Sequence, residues 1–203
     1  MLDRSALRLL SPLFDRLAAR LVRWGVGADA ITFVGFGLGL ASALAIAVHS
    51  MAMGLVLMGL SRLADGLDGP VARQTRPTDR GAFLDIALDF AFYASVPLAF
   101  AWADPTANAR PAALLLAMFI GTGSSFLAFA VMAERRGLRS AAYPQKGLHY
   151  LGGLTEASET LICFVAMCLW PAWFAPLAYG FAALCGLTWL ARLHAGWTLL
   201  RDE

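Results

Sequence analysis

Two runs of residues in this chain have types and spacing that could do chemistry. The first is Asp65-Gly66-Leu67-Asp68-Gly69-Pro70-Val71-Ala72-Arg73. The second, after a spacer of seven residues, is Gly81-Ala82-Phe83-Leu84-Asp85-Ile86-Ala87-Leu88-Asp89. Four carboxylates thus fall within 25 residues, in a region that otherwise reads as membrane. Hydrocarbon does not tolerate an uncompensated carboxylate, so acidic residues at this depth mark a functional site. Positions three and four apart are neighbours on a helix, which puts Asp65, Asp68, Ala72 and Arg73 on one stripe and Asp85 and Asp89 one turn apart. Two such helices joined by a short loop would point all four carboxylates into one cavity, where their mutual repulsion calls for cations. Oxygen-only donors suit a hard divalent ion, Mg²⁺, Mn²⁺ or Ca²⁺. The glycines remove side chains where a ligand or a neighbouring helix approaches the backbone. The bland alternative is a pair of packing glycines beside a solvated charge cluster.

The elements that must position these residues are helices in a bilayer. Of 203 residues, 59% are hydrophobic and only 15% charged, against about 25% charged in soluble domains. The expected fold is all-α: a polytopic membrane protein with six transmembrane helices and an N-terminal amphipathic interfacial helix, in a single domain over residues 1–203. Cys163, Cys168 and Cys185 are odd in number and lie in apolar segments, so they read as buried hydrophobes and not as disulfides or a metal site. No zinc motif, P-loop or dinucleotide fingerprint is present, and nothing points to nucleic acid.

Residues 1–24 carry Leu10, Leu13, Phe14, Leu17, Leu21 and Trp24 at helical spacing, with Arg8, Arg16, Arg20 and Arg23 on the other side. Ser11-Pro12 supplies an N-cap and a first-turn proline. Such a helix lies in the membrane interface with its arginines toward anionic head groups. A signal peptide is not expected, because no apolar core of adequate length precedes a small-residue cleavage site. The six apolar segments fall at about 30–49, 52–73, 82–103, 111–133, 152–170 and 175–197, each near the roughly 20 residues that span a bilayer. Gly35, Gly37 and Gly39 in the first offer a small-residue face for close helix packing. Two connectors are basic, one with Arg73, Arg76 and Arg80 and the other with Arg135, Arg136, Arg139 and Lys146; the connector around Arg110 has a single cation. The positive-inside rule then puts both basic loops, both termini and the open side of the carboxylate cluster in the cytoplasm. Trp170, Trp173 and Phe174 read as an aromatic belt, His149 and His194 as interfacial residues, and His49 as lying at the opposite membrane face.

The paired runs closely resemble the signature of the CDP-alcohol phosphotransferase family, D-x2-D-G-x2-A-R, a spacer, then G-x3-D-x3-D. Asp65, Asp68, Gly69, Ala72, Arg73, Gly81, Asp85 and Asp89 match its eight fixed positions, with a spacer shorter than the eight or more residues usual in the family. The resemblance implies an integral membrane enzyme of phospholipid biosynthesis, placed in the bacterial inner membrane. It would move a phosphatidyl group from CDP-diacylglycerol, or another CDP-linked donor, to a small polar alcohol with release of CMP. It implies Mg²⁺ or Mn²⁺ as cofactor, two ions in all, with Asp65, Asp68 and Asp85 as main ligands. Asp89 would be the general base and touch a second metal. Gly69, Ala72 and Gly81 would give the nucleotide room, and Arg73 would bind donor phosphate. Asp29 and Thr32 resemble a weaker form of the family's Pro-Asn-x-(Leu/Val)-Thr sequence near the nucleotide, with simple helix capping as the alternative. A homodimer is expected from the same resemblance.

The acceptor is less legible. An anionic acceptor, glycerol 3-phosphate or an inositol phosphate, would need cations, for which Arg135, Arg136, Arg139, Lys146 and Arg192 are candidates. An amino alcohol or serine would favour carboxylates, and Glu156 and Glu159 supply them, unless they only complement a helix N-terminus. Arg62, one turn before Asp65, neutralises the cluster or sits at its rim. Other classes, a cation-coupled transporter or a non-catalytic scaffold, fit less well: the carboxylate pattern has no inverted repeat in the second half, and all four aspartates are present.

Overall fold

A computed structural model describes residues 2–137 and 153–201, with side chains from residue 11 onward. Among these residues there are seven α-helices and no strand: α1 (Leu2–Arg23), α2 (Ala28–Ala47), α3 (Met51–Gln74), α4 (Asp79–Ala103), α5 (Pro105–Arg135), α6 (Ala157–Leu169) and α7 (Phe174–Leu199), with a 3₁₀ turn at Pro171–Trp173. The protein is an all-α membrane protein. By length and composition α2, α4, α5 and the segment from Pro171 to Leu199 can each cross a bilayer. The helix α3 is long enough, but Arg62, Asp65, Asp68 and Arg73 dilute its apolar character. Leu44, Val56, Leu98, Ile120, Ile162 and Leu187 are more than half exposed. In a bundle whose backbone bonds are satisfied inside each helix, that coat of apolar side chains suits contact with hydrocarbon.

Local chemistry explains where the helices begin. The Thr78 hydroxyl accepts a hydrogen bond from Gly81 N at 3.1 Å, and Asp79 adds a carboxylate to the first turn of α4. Asp104 caps α5 by accepting from Ala107 N at 3.0 Å, with Pro105 at the first helical position. That pair starts α5 six residues before the expected 111 and draws Arg110 into the helix. The fifth segment, expected at about 152–170, becomes helical only at Ala157, because Glu156 and Glu159 form a reciprocal capping box there. At the N-terminus the expected start at Ser11-Pro12 is not the start: α1 runs from Leu2 through Pro12. A proline forfeits one backbone bond, and the strong helix formers Leu9, Leu10 and Leu13 carry the helix past it.

The core forms where α2, α3, α4, α5, α6 and α7 meet. Phe92, Val96 and Phe100 of α4, Leu115 of α5, Phe164 and Met167 of α6 and Phe174 of α7 are fully or almost fully buried. Phe100 and Phe174 stack with centroids 4.5 Å apart. Phe174 is therefore a core residue and not part of an aromatic belt, which Trp170 and Trp173, both largely exposed, are placed to form. The 3₁₀ turn separates them by rotating Phe174 inward at the head of α7. On α2, Gly35 and Gly39 bring the helix against its neighbours. A Cβ at Gly35 would meet Ala64 Cβ at 3.0 Å, and one at Gly39 would meet the Phe92 ring at 2.6 Å. Gly37 faces open space, so the close-packing face is the i, i+4 pair alone.

Candidate metal and phosphoryl-transfer site

The carboxylates are carried by two stripes that serve the core at one end and the site at the other. On α3 the positions Gly54, Met58, Ser61, Asp65 and Asp68 recur at three and four residues, and all but Asp65 are buried. On α4 the positions Asp85, Asp89, Phe92, Val96 and Ala99 recur in the same way, and the last three are buried. A helix with this spacing presents one face throughout, so the packing that buries Met58 and Phe92 also aims the aspartates at one another. Val71 belongs to a smaller cluster with Ala18 of α1 and Ile31 of α2, which fixes the far end of α3.

Asp65, Asp68 and Asp85 each offer a carboxylate oxygen within 4.8 Å of the others. Asp68 is buried, Asp65 half-buried and Asp85 exposed, so the group has one open side. Thr32 on α2 donates its hydroxyl to Asp68 Oδ2 at 2.7 Å, and Thr32 Oγ1 also lies 3.1 Å from Ala28 O in its own helix. Three hard oxygen donors on two rigid helices fit a divalent cation. Asp89 does not join that group. Its Oδ1 accepts from Arg62 Nη1 at 2.6 Å, and the same nitrogen lies 3.5 Å from Asp65 Oδ2. The four carboxylates thus divide into a group of three and one aspartate held by an arginine.

The remaining expected residues surround this centre at different distances from it. Asp29 accepts from Arg80 Nη2 at 2.5 Å, an interhelical pair that braces α2 against the head of α4. Gly81 sits beside it, where a Cβ would come within 3.3 Å of Asp29 Oδ1. Arg73 is two-thirds exposed and lies 4.0 Å from Asp15 of α1. It also closes over Gly69, where a Cβ would stand 3.4 Å from its guanidinium. Gln74 Nε2 donates to Asp15 O at 3.0 Å, and Phe14 lies against Gly66. The interfacial helix is therefore latched to the motif helix directly behind the carboxylates. Ala72 is half-buried in the last turn of α3.

Asp89 also lines a second space. A cavity of about 660 Å³ lies among α4, α5, α7 and the start of α6, with Asp89, Tyr93, Thr122, Thr155, Glu156 and Arg192 among its polar groups and Phe90, Phe119 and Phe126 among its apolar ones. Arg192 is buried, donates to Thr122 O at 3.0 Å and lies 5.6 Å from the Phe126 ring centre. Thr155 and Thr188 hydroxyls are 3.0 Å apart behind it. Glu156 lines the cavity, but its carboxylate also accepts from Gly153 N at 3.3 Å and serves the capping box. Glu159 does not line the cavity among the described residues and accepts from Glu156 N at 3.1 Å. Arg135 ends α5, and Arg136 donates to Arg201 O at 3.2 Å at the bundle surface, away from this cavity. Arg139 and Lys146 lie outside the described residues, as does His149. Tyr93 and Thr122 were not singled out from sequence. Tyr93 stands one turn beyond Asp89, a spacing that could have found it, whereas nothing local marks Thr122.

Comparisons with known proteins bear on this arrangement. The CDP-alcohol phosphatidyltransferase family profile matches residues 26–195. The inner membrane protein YnjF of Escherichia coli (strain K12) is 45% identical over 202 residues, covering 100% of this chain and 98% of that protein. The archaetidylinositol phosphate synthase of Methanothermobacter thermautotrophicus is 39% identical over 83 residues, 40% of this chain and 39% of that protein. Among solved structures, the Mycobacterium tuberculosis phosphatidylinositol phosphate synthase PgsA1 with CDP-DAG bound superposes with a TM-score of 0.75 at 22% identity. The match covers 95% of this chain and 98% of that one. At that identity the likeness is one of fold.

Proposed function

The chain belongs to the CDP-alcohol phosphatidyltransferase family and is a membrane-embedded transferase; from that premise we propose that it transfers a phosphatidyl group from CDP-diacylglycerol to a small anionic alcohol, releasing CMP. One observation carries the reading. The matched aspartates converge as a group of three within 4.8 Å, and Asp89 lies between that group and a 660 Å³ cavity that reaches Arg192. The donor's pyrophosphate belongs beside Asp65, Asp68 and Asp85, and the acceptor belongs in the cavity.

Asp65, Asp68 and Asp85 would hold Mg²⁺ or Mn²⁺. When bound, the ion neutralises pyrophosphate charge and stabilises the charge that develops as CMP departs. Asp89 takes the proton of the acceptor hydroxyl as its oxygen bonds to the phosphorus that carries diacylglycerol, and the bond from that phosphorus to the bridging oxygen breaks toward CMP. Arg62 holds Asp89 Oδ1 at 2.6 Å, which leaves its other oxygen to face the hydroxyl. Gly69 and Ala72 would give the cytidine side room once Arg73, two-thirds exposed and paired loosely with Asp15, swings from Gly69 onto donor phosphate, whereas Gly81 is packed against Thr78 and Asp29. Thr32 fixes Asp68, and Asp29 fixes the head of α4 through Arg80, so both act on the nucleotide side by positioning.

The cavity favours an anionic acceptor, glycerol 3-phosphate or an inositol phosphate. Arg192 is its buried cation, while Glu156 and Glu159 are engaged in capping α6, which weakens the amino-alcohol alternative. The whole chain acts as one domain in the bacterial inner membrane, as a homodimer, with both termini and the carboxylates facing the cytoplasm. The test is CMP release by purified protein from CDP-diacylglycerol with Mg²⁺ or Mn²⁺ against glycerol 3-phosphate, inositol, inositol phosphate, serine, ethanolamine and choline. Metal-dependent release with a phosphorylated acceptor is expected. Release with serine or an amino alcohol alone would overturn the acceptor class, and failure to bind CDP-diacylglycerol with metal present would overturn the donor.

A further inference from the structure

We propose that the groove between the ends of α5 and α7 binds an anionic phospholipid, with an acyl chain along the groove and the head-group phosphate on Arg136 and Arg201 at its mouth. The lipid is neither donor nor acceptor of the reaction proposed above.

The groove holds about 500 Å³, a size that takes a single small ligand. Ala128, Phe129 and Met132 line it from α5, and Leu193, Gly196 and Trp197 line it from α7. Both sets recur at spacings of three and four, so each helix gives one continuous face. Gly196 supplies the depth, because it has no side chain where a Cβ would stand 3.6 Å from Phe129 Cδ2. The walls open sideways: Met132 is 41% exposed, Leu193 47% and Trp197 73%. In a bilayer that opening faces hydrocarbon, and lipid chains fill an apolar groove at this depth.

An apolar groove alone would take any chain, but the mouth narrows the choice. Arg201 lines it, and Arg136 Nη1 donates to Arg201 O at 3.2 Å. That bond ties the end of α5 to the end of α7 and brings a second guanidinium to the mouth. No carboxylate stands among the described lining residues. The arginine fork matches phosphate oxygens, and basic pockets between membrane helices take anionic head groups. Arg192 lies at the inner end. From there to Arg201 the chain rises about 13 Å at 1.5 Å per residue, most of the roughly 15 Å depth of one leaflet. A phosphate at Arg201 therefore lays its chain along the groove, past Trp197. The groove is also separate from the working site. It shares Arg192 alone with the acceptor cavity among the described residues, and none of Asp65, Asp68 and Asp85 lines it.

The test reads Trp197 fluorescence in purified full-length protein in nanodiscs, as the difference between wild type and Trp197→Phe, while a brominated lipid replaces the host lipid. Bromine quenches tryptophan on contact. Brominated phosphatidylglycerol is expected to half-quench Trp197 at a mole fraction at least roughly fivefold below that of brominated phosphatidylcholine, the preference that one guanidinium supplies near a membrane surface. With Arg136→Gln and Arg201→Gln combined, the two lipids are expected to quench alike. Gly196→Leu, which fills the groove, is expected to lose the preference too, a readout that stands if the double variant does not fold. Equal quenching by both lipids in the wild type would reduce the groove to ordinary boundary contact and overturn the proposal. A preference that survives in the folded double variant would do the same. So would shielding of Trp197 from both lipids with Trp197→Cys cross-linking two chains, which would make the occupant a second copy. None of these readouts uses turnover, so each leaves the transferase reading standing.

Discussion

Asp89 belongs to two spaces at once, the small polar recess beside Asp65 and Asp85 and the large cavity that ends at Arg192. That position is what supports its proposed role as the base for a hydroxyl arriving from the cavity. Asp89→Asn should lower turnover by roughly 100-fold or more, the usual contribution of a general base, while CDP-diacylglycerol binding persists. Turnover near wild type would remove the base assignment. Asp68 carries a different duty. It is the buried member of its trio and is oriented by Thr32, so Asp68→Asn should raise the Mn²⁺ concentration needed for half-maximal activity, and an unchanged metal requirement would take it out of the ligand set. The stripes that carry these aspartates are legible in the sequence because spacing of three and four within one helix is local information. The partners that hold the aspartates are less so. Thr32 meets Asp68 across 36 residues and Arg80 meets Asp29 across 51, and such pairings depend on how helices cross. The division of the four carboxylates into three and one was likewise hidden, since it depends on which side of Asp65 the Arg62 guanidinium takes.

At the scale of elements, the helices were readable from apolar periodicity and most of their ends from capping chemistry; the start of α1, which runs through the expected cap at Ser11-Pro12, was not. The segment expected from 152 begins as helix only at Ala157, because two glutamates that look like ligands in sequence form a cap in space. Glu159→Ala should therefore cost about 1 kcal/mol of stability, measured as a lower melting temperature in detergent, with little change in acceptor KM. A large KM change without destabilisation would return Glu159 to the acceptor site. The crossing of α2 over α3 and α4 is the more demanding contact. A Cβ at Gly39 would meet the Phe92 ring at 2.6 Å and Ser61 Oγ at 3.1 Å. Overpacking of this kind costs typically 1–3 kcal/mol. Gly39→Val should lower the melting temperature and also activity, because Phe92 and Ser61 both hold Arg62. Gly37→Val, which faces open space, is the matched control and should do neither.

For the molecule as a whole, composition announced the membrane and the resemblance announced the family, but neither disclosed the cavity, which exists only through the meeting of helices far apart in the chain. Arg192→Gln tests what it accepts. Loss of a buried charge-assisted hydrogen bond to a phosphate, worth about 1.5–3 kcal/mol, should raise the KM of a phosphorylated acceptor by roughly 10- to 100-fold with the KM for CDP-diacylglycerol unchanged. An equal rise for both substrates would place Arg192 in general packing. Reporter fusions at each terminus should report a cytoplasmic location for both. The two working spaces also draw on different parts of the chain. Among the described residues, the trio and Thr32 come from α2, α3 and the head of α4, whereas the large cavity is lined from α4 onward. Only α4 is common to both. If the proposed division of labour holds, the second half of such a chain can be rewritten to take a new alcohol without disturbing the half assigned to the donor, and a chimera that joins residues 1–103 of this protein to the later helices of a relative should inherit that relative's product.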